Sequence, residues 1–224
     1  MKKAIAILLS LTMILVLAAC GNSASQTEQP STEDTSVESK ADTKSAESST
    51  DMENTDNQDV QDHKVLVAYF SATGTTKGVA VHIANGLNAD IYEIVPEEAY
   101  TDADLDYNDN NSRTTIEMND PDARPAISGS VENMEQYDTV FIGYPIWWGE
   151  APRIVSTFME SYDFSGKTIV PFCTSGGSGI GSSASNLESF TSGATWLDGR
   201  RLNGSDSQDT VMEWVNSLDL NLAE

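Results

Sequence analysis

Short apolar runs and amphipathic segments alternate along the chain from Lys64 onwards. The first run, residues 65–70, contains six apolar residues in succession, which is typical of a strand buried on both faces. Farther on, Val79, Ile83 and Leu87 recur at helical spacing, which indicates an amphipathic helix. The order of these elements predicts a strand, a tight turn and a helix that packs back on the strand.

Four further apolar runs, the last of them weaker, predict four more strands. They span residues 91–95, 139–143, 168–173 and 194–202. Amphipathic patterns predict helices over residues 152–160 and 182–190 and a last helix close to the C-terminus. Such alternation is typical of an α/β doubly wound fold. We therefore predict a five-stranded parallel sheet with helices on both faces over residues 64–224.

Three local features refine this prediction. Ser205 and Gln208 form a capping-box pattern ahead of an apolar stripe that includes Trp214, so the last helix is expected to begin near them. The long acidic connection of residues 96–138 is expected to contain one exposed helix over residues 106–118. Pro171 lacks a backbone donor, so it is expected to face away from a neighbouring strand.

The N-terminal segment differs from this domain in composition. Lys2 and Lys3 precede 14 mostly apolar residues, 4–17. That run is shorter than the roughly 20 residues of a membrane-spanning helix and predicts a secretory signal peptide over residues 1–19.

The end of the signal peptide, residues 17–21, resembles the lipobox of bacterial lipoproteins. The resemblance implies a diacylglyceryl group on Cys20, which would anchor the protein outside the bacterial cell membrane. The alternative is that Cys20 is an incidental small residue at a cleavage site.

Residues 20–63 are polar almost throughout. Between residues 21 and 62, 11 acidic residues and two lysines stand among Ser, Thr, Asn and Gln. Such a segment cannot bury enough apolar surface to fold. We therefore predict a disordered, acidic, Ser/Thr-rich tether.

Charge and the scarcity of metal-ligating residues exclude some classes of ligand. The chain carries 35 acidic residues against 12 Lys and Arg, for a formal net charge of −23, which argues against nucleic acid as a partner. His63 and His82 form no metal-binding pattern. Cys20 and Cys173 stand in unrelated contexts and suggest no disulfide, and Cys173 is expected to be a buried, inert thiol.

Three loops with ligand-binding character follow the first, third and fourth predicted strands, where ligands bind in open α/β sheets. The first, residues 71–76, combines four hydroxyl side chains with a glycine at the start of a helix. It contains no acidic residue, and Lys77 is the nearest charge. This chemistry suits a phosphate group. An ordinary Ser/Thr-rich helix cap is the alternative.

The other two loops suit a planar aromatic ligand. Residues 144–149 include adjacent Trp147 and Trp148, of which one is expected to pack and the other to face a ligand. Core packing is the alternative for either one. Residues 174–179 are nearly all Gly and Ser, so their backbone can approach the edge of a ring. A merely flexible loop is the alternative there.

Together these loops resemble those of the flavodoxins. Residues 71–76 match the flavodoxin phosphate-loop pattern S/T-x-T-G-x-T at every fixed position, and the second and third loops resemble those of bacterial flavodoxin-like proteins. The resemblance extends from Lys64 onwards. It implies an FMN-binding domain with strand order 2-1-3-4-5, in which FMN lies across the ends of the first and third strands.

The resemblance also implies a role for each loop residue. The phosphate of FMN would be held by Ser71, Thr73, Gly74, Thr75 and Thr76. Trp148 would lie against the isoalloxazine ring, Gly149 would turn its carbonyl toward flavin N5, and Gly176 and Gly177 would approach the pyrimidine edge. The remaining predicted contacts are Tyr144, Pro145, Ile146, Trp147, Thr174 and Ser175.

The function implied by this resemblance is electron transfer, so we expect an electron carrier whose partners are redox proteins or a quinone. One departure leaves alternatives open. Many flavodoxins carry a second aromatic after the fourth strand, where this chain has Thr174 and Ser175. An uncovered ring face would suit an FMN-dependent NAD(P)H:quinone oxidoreductase. A flavin-free binding module on the same fold is a further alternative.

Overall fold

The computed structural model describes residues 64–220, in which strands and helices alternate. The predicted signal peptide, the tether and Cys20 lie outside these residues. The strands are Lys64–Tyr69 (β1), Asp90–Glu93 (β2), Val95–Pro96 (β3), Ile127–Ser128 (β4), Tyr137–Pro145 (β5), Thr168–Thr174 (β6), Thr195–Trp196 (β7) and Arg200–Leu202 (β8). The α-helices are Thr75–Leu87 (α1), Arg113–Asn119 (α2), Arg153–Glu160 (α3), Ser183–Glu188 (α4) and Gln208–Asn216 (α5).

The main sheet is parallel, with the strand order β2-β1-β5-β6-β7, and β8 also pairs with β6. Because β7 and β8 together occupy the place of the fifth predicted strand, the predicted order 2-1-3-4-5 is confirmed. Helices cover both faces. The core on one face includes side chains of α3 and α4, and the core on the other includes side chains of α1 and α5.

The uninterrupted apolar run of β1 is explained by this arrangement. Leu66 and Ala68 enter the core beneath α3, whereas Val65 and Val67 enter the core beneath α1. Successive side chains of a strand point to opposite faces, so a strand covered on both sides needs apolar residues at every position.

The fifth predicted strand is divided in two beside Pro171. Strand β7 pairs with Thr168 and Ile169, and β8 pairs with residues 172–174 of β6. The gap faces Pro171, which has no N–H to donate to an edge strand. A side chain at Gly199 would also place its Cβ 2.7 Å from Pro171 Cγ. The proline therefore meets an interruption in pairing, as the sequence predicts.

Two further predicted elements differ from the structure. The second predicted strand, residues 91–95, divides into β2 and β3, and β3 pairs antiparallel with β4 in a separate two-stranded sheet. The exposed helix expected over residues 106–118 is wrong: α2 begins only at Arg113, and its Thr114, Thr115 and Met118 are buried. Asp106 and Asp109 instead accept hydrogen bonds from backbone N–H groups two residues ahead, and such turns compete with helix formation.

The predicted capping box of α5 is also wrong. The N-cap is Ser207, whose side chain accepts a hydrogen bond from the N–H of Thr210. The preceding residue, Asp206, accepts from the N–H of Asn203 at 2.7 Å, and this turn delays the start of the helix beyond Ser205. The predicted apolar stripe is correct, because Val211 and Trp214 are buried. In the part of the chain described, no helix has the length and apolarity of a membrane span.

Candidate functional site

A cavity of about 640 Å³ opens at the carboxyl ends of β1, β5 and β6, a size within the range of roughly 300–1,000 Å³ that is typical of small-molecule sites. All three predicted loops contribute to it. The predicted residues that line it are Ser71, Thr73, Thr75, Thr76, Pro145, Ile146, Trp147, Trp148, Thr174, Ser175 and Gly176. The topology thus brings together segments that are about 100 residues apart in sequence, as expected for strands that end at the same sheet edge.

Four of the predicted contacts do not line the cavity: Gly74, Tyr144, Gly149 and Gly177. Tyr144 lies in the core with no exposed surface, and its hydroxyl is 3.1 Å from Ser183 Oγ. The glycines Gly74 and Gly149 shape the backbone instead, since both have positive φ angles.

The first loop ends at helix α1 with unpaired donors. Gly74 is the N-cap of α1 and makes no side-chain hydrogen bond to the helix. The first N–H groups of the helix are therefore not capped by a side chain of the N-cap residue. Ser71 Oγ is buried and has no hydrogen-bond partner within the described residues. A buried hydroxyl without a partner is energetically unfavourable. The loop therefore presents donors that an anion at this point would satisfy.

The first and third loops are joined by a buried hydrogen bond between Thr76 Oγ1 and Thr174 Oγ1, 2.8 Å apart. The third loop is further held by Arg201, whose Nη2 donates to the carbonyl of Ser175 at 3.2 Å. Within the loop, Ser175 Oγ accepts from the N–H of Gly177 and donates to the carbonyl of Ser178. The third loop is therefore an ordered part of the wall, which the sequence left undecided.

The wall of the cavity contains no Asp, Glu, Lys, Arg or His among the described residues. Lys77, the nearest charge in the sequence, donates instead to Glu93 Oε2 at 2.8 Å, and the hydroxyl of Tyr69 donates to the same oxygen at 2.8 Å. Burial alone would raise the pKa of Glu93, but these two hydrogen bonds lower it overall. The positive charge of Lys77 is thus neutralised beside the site.

The second loop forms a tight hairpin turn. The backbone groups of Trp147 and Glu150 exchange two hydrogen bonds of 2.9 Å, and φ is 49° at Trp148 and 82° at Gly149. Positive φ at both central residues is typical of a type I′ turn, but it is unusual for a side chain as large as tryptophan. Asn186 Nδ2 donates to Glu150 Oε2 at 2.7 Å and helps to fix the turn.

The two tryptophans have different environments, as the sequence predicts. Trp147 packs edge-on against Phe70 and Tyr100, with ring centroids 5.4 Å away in both cases. Trp148 is 46% exposed, and both tryptophans line the cavity. The strained turn therefore holds one aromatic face where a ligand can reach it.

One lining residue of the first predicted loop, Ala72, had no predicted role. Sequence reasoning also missed the three lining residues of the long connection, Leu105, Tyr107 and Thr114. The signal that could have found them is the run of Asp and Asn residues around Tyr107, which is typical of ordered turns. Arg113 and Arg124 of the long connection form ion pairs with Glu117 and Glu160 respectively.

Cys173 is fully buried next to the site. Burial raises the pKa of its thiol to about 11, although Arg201 has an opposing effect. A thiol in this state is a poor nucleophile at neutral pH. Within residues 64–220, no group of His, Cys, Asp and Glu side chains could hold a metal ion.

Comparison with known proteins gives a family match. The family model described as Flavodoxin matches residues 64–218. A candidate flavoprotein from Bacteroides eggerthii is 48% identical over 70% of this chain and 99% of its own, with a TM-score of 0.67. One from Bacteroides uniformis is 47% identical over 69% of this chain and 98% of its own, with a TM-score of 0.66.

A more distant solved structure shares the fold. It is a flavoprotein from Lactobacillus acidophilus in complex with FMN, 22% identical over 68% of this chain and 99% of its own, with a TM-score of 0.52. No curated protein matches the chain.

Proposed function

The chain belongs to the flavodoxin family, and from this premise we propose that it binds FMN in the cavity and acts as an electron carrier. The observation that carries the proposal is the buried Ser71 Oγ, which lacks a partner within the described residues and lies in the loop that ends at the N-terminus of α1. A phosphate at this position would accept hydrogen bonds from that hydroxyl and from the first N–H groups of the helix.

The charge distribution supports an anionic ligand. Residues 64–224 contain 24 acidic and 8 basic residues, a net charge of −16, yet no carboxylate lines the cavity in the described structure. A carboxylate there would repel a phosphate. A phosphate could therefore bind at the first loop without repulsion from a carboxylate in the cavity wall, although the domain as a whole is strongly acidic.

The remaining walls suit the ring system. Trp148 would lie against the isoalloxazine, and the backbone at Gly176 would meet its polar edge. When bound, FMN would supply the electron-transfer chemistry, while the residues of the chain bind it, orient it and exclude water. The surrounding negative charge would disfavour an anionic reduced flavin and lower its potential. It would also attract a basic redox partner protein, and a quinone is the other partner class that we propose.

The experiment that tests the proposal is a titration of the purified protein with FMN and with riboflavin, followed by flavin fluorescence. We expect FMN to bind with a Kd at least about tenfold lower, because riboflavin lacks the phosphate and charge-assisted hydrogen bonds contribute about 1.5–3 kcal/mol each. Equal Kd values would contradict the phosphate-loop assignment. Absence of binding by both compounds would contradict the flavin function and favour the flavin-free module.

We further propose that the carrier is tethered outside the cell membrane through a lipid on Cys20. The support is the resemblance of residues 17–21 to a lipobox. In a bacterial host supplied with labelled palmitate, Cys20→Ser is expected to remove the label from the protein and to release it from the membrane fraction. Cys173→Ser is the control and should leave the label in place. Label that persists in Cys20→Ser would exclude this anchor.

A further inference from the structure

The long connection between β3 and β4 contributes an aromatic ring to the cavity. Tyr107 is 74% exposed, lines the cavity with Leu105 and Thr114, and has neither a ring contact nor a side-chain hydrogen bond among the described residues. We propose that Tyr107 covers the face of the flavin ring opposite Trp148, so that residues 101–112 form part of the cofactor site. This inference rests on the proposed function.

The segment that carries Tyr107 is ordered by its own hydrogen bonds. The carboxylate of Asp104 accepts from the N–H and the hydroxyl of Thr101, at 2.8 and 2.7 Å. The carbonyl of Asp104 accepts from the N–H and the hydroxyl of Thr114, at 3.1 and 2.6 Å. Next to Tyr107, Asp106 Oδ1 accepts from the N–H of Asn108 at 2.9 Å. Both ends of the segment are therefore fixed, and Tyr107 stands at a turn.

The same connection packs against the second loop, residues 144–149. The ring of Tyr100 packs edge-on against Trp147 with centroids 5.4 Å apart, and its hydroxyl donates to Glu117 Oε2 at 2.6 Å. The guanidinium of Arg113 lies 4.1 Å from the centre of the Tyr100 ring and pairs with Glu117. Trp148 follows Trp147 in the chain, and Tyr107 lies on the same connection as Tyr100. The contact between Tyr100 and Trp147 therefore links the segments that carry Trp148 and Tyr107.

In this arrangement Tyr107 would take the place of the aromatic residue that many flavodoxins carry after the strand equivalent to β6. Thr174 and Ser175 stand there, and Thr174 is committed to its hydrogen bond with Thr76. A ring delivered by the connection would cover the second face without any change in that loop. Contact between aromatic rings stabilises a complex beyond the area that it buries, so the loss of Tyr107 should weaken binding measurably.

The test compares three variants of the full chain in FMN and riboflavin titrations. Tyr107→Ala is expected to raise the Kd of both flavins about tenfold, because FMN and riboflavin share the isoalloxazine ring that Tyr107 would contact. Tyr107→Phe keeps the ring and is expected to stay within about threefold of the wild-type Kd. Ile116→Ala is the matched control: Ile116 is 57% exposed on the same connection but lies outside the cavity wall, so its Kd should not change.

The outcomes separate this inference from the proposed function. If the wild-type protein binds FMN and Tyr107→Ala binds it equally well, Tyr107 does not cover the ring and the inference is wrong. If Tyr107→Phe loses as much affinity as Tyr107→Ala, the hydroxyl and not the ring makes the contact, which also overturns it. Failure of the wild-type protein to bind either flavin would overturn the proposed function itself.

Discussion

Replacing Thr73 and Thr75 together by aspartate is expected to raise the Kd for FMN at least about a hundredfold, because two carboxylates would face the phosphate at short range in a cavity without compensating cations. The two hydroxyl oxygens are 3.3 Å apart and exposed, so the substituted side chains can be accommodated without disturbing the core. Thr76 is unsuitable for this test, since it is buried and bonded to Thr174. Fluorescence titration with FMN measures the effect.

The control for this experiment is the double variant Thr73→Asn and Thr75→Asn, which has nearly the same shape but no charge. It is expected to keep most of the affinity for FMN. Riboflavin, which has no phosphate, should bind the aspartate variant as it binds the wild-type protein. A loss of riboflavin binding in the aspartate variant would show that the carboxylates act on the ring site, and the assignment of the loop to phosphate would then be contradicted.

The two tryptophans are expected to respond differently to replacement by alanine. Trp147→Ala removes a ring that packs against Phe70 and Tyr100, so it should lower the free energy of unfolding by about 2 kcal/mol or more. Trp148→Ala removes a half-exposed ring and should leave that free energy nearly unchanged, while it raises the Kd for FMN about tenfold. Urea unfolding and flavin titration of both variants measure the two effects.

The conservative variant Trp148→Phe serves as the control, because it keeps an aromatic face in the cavity wall. We expect its affinity for FMN to lie between those of the wild-type protein and Trp148→Ala. The opposite ranking, in which Trp147→Ala loses FMN at unchanged stability and Trp148→Ala does not, would mean that the other tryptophan contacts the flavin.

Much of the fold follows from local pattern, as β1 illustrates. Its six-residue apolar run specifies a strand covered on both faces, and the helical spacing from Val79 onwards specifies the helix that covers one of them. The loop between them was predictable because its hydroxyl residues and glycine are contiguous in sequence. Its chemistry therefore did not depend on how distant segments pack.

Tyr144 shows where local pattern was insufficient. The sequence predicts a strand that ends at Gly143 and a loop beside the ligand that includes Tyr144. In the structure β5 continues to Pro145, so Tyr144 falls on the same face as Val140 and Ile142 and enters the core. Side chains alternate along a strand. Because β5 is two residues longer at its C-terminal end than predicted, Tyr144 is a core residue and not part of the loop beside the ligand.

Tyr107 shows a different limit. Its position in the cavity wall depends on how the connection folds back on β1 and β5, through contacts between residues that are far apart in sequence, such as Tyr100 with Trp147. A single sequence without such pairings shows only that the segment is polar and rich in turn-forming residues. From the sequence, a second aromatic is expected only after the fourth predicted strand, where many flavodoxins carry one.

A crystal structure of the protein with FMN would show whether the loop from Ser71 to Thr76 holds the phosphate, as we propose. We expect the phosphate at the N-terminus of α1, within hydrogen-bond distance of Ser71 Oγ, with the isoalloxazine beside Trp148. A phosphate bound elsewhere, or a loop whose donors are satisfied by the protein's own side chains while FMN is bound, would contradict this proposal.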